Sequence, residues 1–225
     1  MKKTFQPYSL IKFFSNEEYL NDLLEGKIYC NTPEYYRLAN QEGMADKNES
    51  CVVAYRKSRN DEPIKVTVDG KDMTSVISAT IWNNVRKDSW LHCWFMLHFD
   101  SNVKDILQLI FDLDKVKREF GKYYVVLNAK NISTLESRLK KYSPHTVSSS
   151  PIVYSSDKND WSYKCKNKGY EYQREFRFLF GNCETDHSNS LCFEIKEGLS
   201  DILEISPIIE LSIKSLNQKF QILKP

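Results

Sequence analysis

Tyr172-Gln173-Arg174-Glu175-Phe176-Arg177-Phe178-Leu179-Phe180 is the stretch from which the fold can be read. From Glu175 onward, Phe176, Phe178 and Phe180 alternate with Arg177 and Leu179, the period of two that marks a strand with one face buried. Successive side chains of a strand point to opposite faces. The spacing therefore predicts that Glu175 and Arg177 share one face while three aromatic rings anchor the other. A carboxylate fixed this way at the mouth of a strand is a candidate for chemistry. The competing reading is a solvated Glu/Arg pair, since 28% of the chain is charged.

Working outward, 225 residues suit one large domain or two small ones, and no Pro/Ser/Gly-rich linker divides them, so one domain over 1–225 is expected. Hydrophobic residues at 41% and aromatics at 13% supply a sizeable core and argue against disorder. The cysteines at 30, 51, 93, 165, 183 and 192 include no C-x-x-C pair, so a metal framework is not expected. Met1-Lys2-Lys3 opens no apolar core of signal length, and no run approaches the ~18 apolar residues of a membrane span. A cytoplasmic protein with free thiols and no membrane association is expected.

Residues 8–14 read as a strand, followed by a helix with Ser15 as N-cap, Glu18 closing a capping box and Gly26 ending it. A short strand at 27–30 leads to a second helix opened by Thr32-Pro33 and carrying Tyr35, Tyr36 and Arg37. Residues 40–50 read as a polar surface loop. Strands are expected at 51–56, 64–68, 76–82, 90–99 and 123–127, with a turn at Asp69-Gly70. Amphipathic and basic helices follow at 103–119 and 131–142. The serine run Ser148-Ser149-Ser150 within 143–151 reads as loop, and 155–169 as a polar, mobile segment. Short strands resume at 152–154 and 190–196, with a Gly181-Asn182 turn between and an apolar stretch at 202–213. The pattern is strand-rich with helices concentrated in the N-terminal half, which predicts α+β.

The net charge of +2 is uneven. Residues 115–141 carry eight Lys/Arg against Glu119 and Glu136, and 164–177 carry five against Glu171 and Glu175. Two basic segments suit a polyanionic partner, nucleic acid or a dinucleotide; solubilising surface lysines are the alternative.

An enzyme that breaks a nicotinamide–ribose bond needs a carboxylate beside the ribose, where positive charge develops as nicotinamide leaves. Glu175, after Gln173 and a one-residue spacer, offers one. Together with the order strand, capped helix, Gly26-Lys27-Ile28-Tyr29-Cys30-Asn31-Thr32 and tyrosine-bearing helix, the chain resembles the ADP-ribosyltransferase superfamily. That resemblance implies a split β-sheet core and NAD as substrate. Glu175 would be catalytic, Gln173 would orient substrate, and Lys12, Phe13, Tyr29, Asn31, Tyr36 and Arg37 would line the cofactor cleft. Lys12 stands where the superfamily usually has His or Arg, so Arg37 or Arg56 would take the diphosphate. The chain is also similar to an uncharacterised bacterial family through Gly43-x-x-Asp46-Lys47-x-Glu49, Phe120-Gly121-x-Tyr123 and Tyr170-x-x-Gln173-x-Glu175-x-Arg177, a likeness that brings no chemistry with it.

The resemblance and the basic segments together imply a bacterial toxin or anti-phage defence effector. Its acceptor would be RNA or DNA, and an antitoxin protein would be a partner. Two rival classes stand beside it. Asp186 followed by Glu194-Ile195-Lys196 fits a metal-dependent nuclease, in which two carboxylates hold Mg²⁺ and a lysine steadies the attacking water. A non-catalytic nucleic-acid-binding module would use the basic segments alone. His92 and His98 share a strand face but lie too far apart for one metal, and His92 reads as a core residue.

Overall fold

The computed structural model describes residues 9–40, 43–73, 75–82, 87–98, 103–213 and 218–224; Met1-Lys2-Lys3, Tyr8 and Phe99 lie outside the described residues. The architecture is mixed α+β. In chain order the elements are β1 (Ser9–Phe14), α1 (Glu17–Leu24), β2 (Lys27–Cys30), α2 (Pro33–Leu38), β3 (Val53–Arg56), β4 (Val66–Val68), β5 (Lys71–Met73) and β6 (Ser78–Ile81). Next come β7 (Asp88–Leu97), α3 (Val103–Phe120), β8 (Tyr123–Asn128), α4 (Ile132–Tyr142), β9 (Val147–Pro151), β10 (Val153–Ser155), β11 (Cys165–Asn167) and β12 (Glu175–Cys183). β13 (Leu191–Glu194), β14 (Leu203–Ile205), β15 (Ile209–Ile213) and β16 (Gln218–Leu223) complete the chain. α1 and α2 lie early as expected, whereas the two longer helices, α3 and α4, occupy its middle.

Six strands form one antiparallel sheet in the order β14-β8-β1-β7-β12-β9. The alternation of β12 is realised: Phe176, Phe178 and Phe180 pack with Leu10, Phe14 and Trp94 on one face, under Leu20 and Leu23 of α1 and Leu135 and Leu139 of α4. Each of these rings contributes about 1.5–3 kcal/mol through burial. On the other face Ile11, Phe95, Leu97 and Val126 pack under Leu109, Leu113 and Val116 of α3. Glu175 and Arg177 share that second face.

β1 and β7 pair only from Ser9↔Leu97 to Ile11↔Phe95, although both strands run further. Beyond Ile11 they part. β1 continues along β8, while Leu91 of β7 exchanges backbone hydrogen bonds with Asn31, just past the end of β2 (2.7 and 3.2 Å). The β2–β13 ribbon thus begins where β1 leaves off, and a seam opens beside Cys93 and Trp94. Gly26 sets this ribbon: its φ is +96°, and a Cβ there would stand 2.1 Å from the Ile195 carbonyl oxygen.

Several local expectations shift. The N-cap of α1 is Asn16, whose side chain accepts from the Glu18 N–H; Ser15 is one residue too early. Thr32 caps α2 through the Tyr35 N–H, with Pro33 in the first turn as expected. The serine run is not loop but β9, the edge strand that pairs with β12 from Phe176↔Pro151 to Phe180↔Val147. β12 runs on through Gly181 and Asn182 with a bulge instead of turning there. The hairpin around Asp69-Gly70 joins β4 to β5, while β3 pairs with β6.

Candidate functional site

Glu175 opens β12, and the residue before it is unusual. Arg174 sits in the left-handed region, at φ 41° and ψ 49°. That conformation costs a non-glycine residue about 1–2 kcal/mol. It is held there by a hydrogen bond from Nε to Asp112 on α3 (2.7 Å) and one from Nη1 to the His98 carbonyl (2.8 Å). The turn joins the short 3-10 helix Lys168–Gln173 to the strand and brings Gln173 and Glu175 onto one ammonium.

That ammonium belongs to Lys166 on β11. Its Nζ donates to Glu175 Oε1 (2.7 Å) and Gln173 Oε1 (2.8 Å), and lies 3.4 Å from Glu49 and 3.9 Å from Asp46. The Tyr170 ring lies beside it, with Nζ 4.7 Å from the centroid. Arg177 grips the other oxygen of Glu175 (Nε to Oε2, 2.6 Å), both oxygens of Glu49 (2.8 and 3.2 Å) and the Tyr163 carbonyl (2.9 Å). Gln173 Nε2 donates to the Gly43 carbonyl (2.9 Å). Three carboxylates therefore face two cations, all of them buried.

The electrostatics follow from this count. Burial pushes the Glu175 carboxyl up, but Arg177 and Lys166 outweigh it and hold its pKa down at about 2. Burial also opposes ionisation of Glu49, and the same two cations again prevail and lower it. Asp46 lies on the edge of the cluster, 3.9 Å from Lys166; burial and the Glu49 charge raise it to about 6. Glu175 is only 8% exposed, so it faces neither bulk water nor a wholly apolar interior.

The other sequence-predicted residues divide into three groups. Lys12 and Tyr36 lie half-buried where the charge of Glu175 is felt. The register puts Lys12 on the Trp94 face, where its ammonium reaches through the seam to the Cys93 carbonyl (2.9 Å), above the Trp94 ring (5.8 Å). Burial lowers its pKa, with Cys93, Cys30 and Glu175 opposing. The Tyr36 phenol is pushed well up by burial, with Cys93, Glu175 and Glu49 adding to the rise and Arg177 opposing it.

Phe13, Tyr29, Asn31 and Arg37 do not converge there. Phe13 packs on Phe95 and Tyr124 in the α3 core. Tyr29 is largely exposed, and Ser190 Oγ lies within hydrogen-bond distance of its hydroxyl and of the Asn31 side chain (2.8 and 2.7 Å). Arg37 is turned fully inward: it binds Glu34 (2.7 Å) and the carbonyls of Glu49 and Thr185. Its guanidinium is spent on tying α2 to the 46–50 loop. Arg56 likewise binds Glu34 and two carbonyls. Both guanidiniums are buried and engaged within the protein, so neither presents its fork to a diphosphate.

Sequence reasoning gave Lys166 no role and preferred a surface loop to an ion-ligating or substrate-contacting role for Asp46 and Glu49. The last two were expected on a surface loop and are instead buried. Their signal was the i, i+3 acidic pair in Gly43-x-x-Asp46-x-x-Glu49, while Lys166, within a lysine-rich polar stretch, gave none. Asp186, Glu194 and Lys196 are all exposed, and among the described residues no group of three or more His, Cys, Asp or Glu side chains is placed to hold a metal ion. A separate concavity of about 160 Å³, lined by Ser89, Ser148, Tyr163, Lys164 and Leu179 among others, lies further along β12 on the same face. Among the described residues, no helix is long and apolar enough to cross a membrane. Comparison with known proteins gives no match to a family model, to a curated protein or to a solved structure.

Proposed function

We propose that this chain is an NAD-dependent ADP-ribosyltransferase with a superfamily-like split sheet, that Glu175 is its working carboxylate, and that its acceptor is a macromolecule. In this reading NAD lies folded along the seam between β1 and β7. Cleavage of the bond between C1′ of the ribose and the nicotinamide nitrogen leaves the electron pair on nicotinamide. Positive charge then spreads over C1′ and the ring oxygen, the acceptor nucleophile attacks C1′, and its proton is released. Glu175 acts by remaining anionic beside that charge. Tyr36 offers a ring for the nicotinamide, and Lys12, with one hydrogen bond used, offers donors to the ribose or diphosphate.

One observation carries the reading: Gln173 and Glu175 converge at the mouth of β12 on one buried cluster, in which Lys166 and Arg177 keep Glu175 anionic. The proposed role as a toxin or anti-phage effector, with a cognate antitoxin, belongs to the same reading. The test incubates the protein with labelled NAD and separate pools of RNA, DNA and protein. Label should enter one pool and fall by about 10²–10³-fold in Glu175→Gln, assayed at a temperature where the variant is folded. Equal labelling by the variant would falsify the assignment. Expression of the wild-type chain alone should slow growth, and Glu175→Gln should relieve it.

A second reading has an observation of its own. Every charged group around Glu175 has an oppositely charged partner, as in a purely structural ion-pair hub. Under that reading Glu175→Gln lowers stability and no NAD is consumed by either protein.

A further inference from the structure

Resting on the reading that Glu175 is the working carboxylate, we infer that Lys166 is an autoinhibitory plug: its ammonium occupies the place of the substrate's cationic centre, and it must withdraw before Glu175 can act. Both oxygens of Glu175 and both polar ends of Gln173 already face a partner within the protein. Glu175 Oε1 is taken by Lys166 and Oε2 by Arg177, while Gln173 Oε1 is taken by Lys166 and its Nε2 by the Gly43 carbonyl. A substrate's cationic centre brought against Glu175 therefore competes with one of these two cations.

Arg177 is the wrong one to move. It sits on β12 itself, is fully enclosed, and clamps Glu49 with two parallel bonds. Lys166, although also buried, differs in its strand and in the form of its contacts. Its strand β11 pairs with the three-residue β10 and, through Cys165, with Ser162, outside the six-stranded sheet, and about half of residues 153–169 are exposed, Trp161 and Cys165 being the buried neighbours. An ammonium on a four-carbon stem makes single, point-charge contacts and can swing away without a bidentate fork to break. Its departure leaves three carboxylates against one guanidinium, a place that attracts a small organic cation or a pyridinium ring.

The plug and the NAD reading separate in one set of measurements on the full chain. Lys166→Ala, or Lys166→Met should the alanine variant not fold, is melted in ethylammonium chloride and in sodium chloride at equal ionic strength. A rise in melting temperature with ethylammonium in the variant, and none in the wild type, is expected. No rise in the variant overturns the plug. NAD consumption by the same variant should exceed the wild-type rate about tenfold or more, because the competent state no longer has to be reached against the internal contact. A folded variant no faster than an active wild type overturns the inference and leaves the NAD reading standing. If neither protein consumes NAD while ethylammonium still binds the variant, the cation site stands, and both the NAD reading and the autoinhibition of it fall.

Discussion

Arg177 is fully enclosed, and the cost of losing it follows from what it faces. Removing one member of a buried pair strands the other charge, which costs about 3–5 kcal/mol, whereas replacing both by apolar groups of similar volume is far cheaper. Arg177→Met and Glu49→Leu should each lose about that much in urea denaturation, and the double variant clearly less than the sum, because Glu175 keeps Lys166. Additive losses would show that the two side chains do not act as a pair. Protons act on the buried carboxyls with opposite signs. Asp46 and Asp88 are each raised from 3.8 to about 6 by burial, so the folded state holds their protons more tightly than the unfolded state. Their contribution is fully present below pH 3.8 and is lost as pH rises through 6. Glu175 is lowered from 4.5 to about 2, so its contribution is present above 4.5 and is lost as pH falls toward 2. Where only these groups titrate, stability should decline from pH 4 to 7, and Asp46→Asn with Asp88→Asn should flatten that decline in thermal melts. A double variant with an unchanged pH profile would refute the burial of those carboxyls.

Among the elements, Gly26 offers the sharpest test of the seam. A methyl group there would meet the Ile195 backbone carbonyl oxygen at 2.1 Å, at a φ that side chains disfavour. Gly26→Ala should lower the melting temperature, and the loss of amide protection should concentrate in β2 and β13; a wild-type melting curve would contradict the close approach. The elements that sequence made legible are those whose period survives in one strand or helix. In β12 three rings alternate with Glu175 and Arg177, and in α1, α3 and α4 apolar residues recur at helical spacing. β9 was not legible because serines and prolines have the composition of a turn, and only its position beside β12, a non-local fact, makes it a strand. Lys166 was hidden for a related reason. A buried lysine is expected only where carboxylates meet it, and those come from residues 46, 49 and 175, far away in sequence. Arg37 shows the converse: a cation near a tyrosine suggested a ligand contact, yet Glu34, three residues earlier on the same helix turn, had already claimed it.

Across the whole molecule, the basic stretches of the sequence dissolve as a surface feature. Lys115, Arg118, Arg138, Lys140 and Lys141 each stand within 4 Å of a carboxylate: Glu119, Asp114, Asp201, Glu136 and Glu197 in turn. In the second stretch Lys166 and Arg177 are buried in the Glu175 cluster, and Arg174 is bound to Asp112. Lys117, Lys122, Lys130, Lys164 and Lys168 are then the cations of the two stretches that meet no carboxylate among the described residues. If the acceptor is a nucleic acid, its phosphates can be neutralised by these few lysines and little else in that part of the chain. Each neutralised phosphate contributes about −0.9 to the slope of log K against log salt, so five lysines predict a slope no steeper than about −4.5 on duplex DNA, and all thirteen cations would predict about −12. Titration of a fluorescent duplex at several salt concentrations reads this slope directly. A shallow value would place recognition at the acceptor nucleotide itself, near Glu175, with the bulk of the duplex contributing little. A slope well beyond −4.5 would mean that the surface ion pairs open to meet phosphate, and that the charge runs read from the sequence form the interface after all.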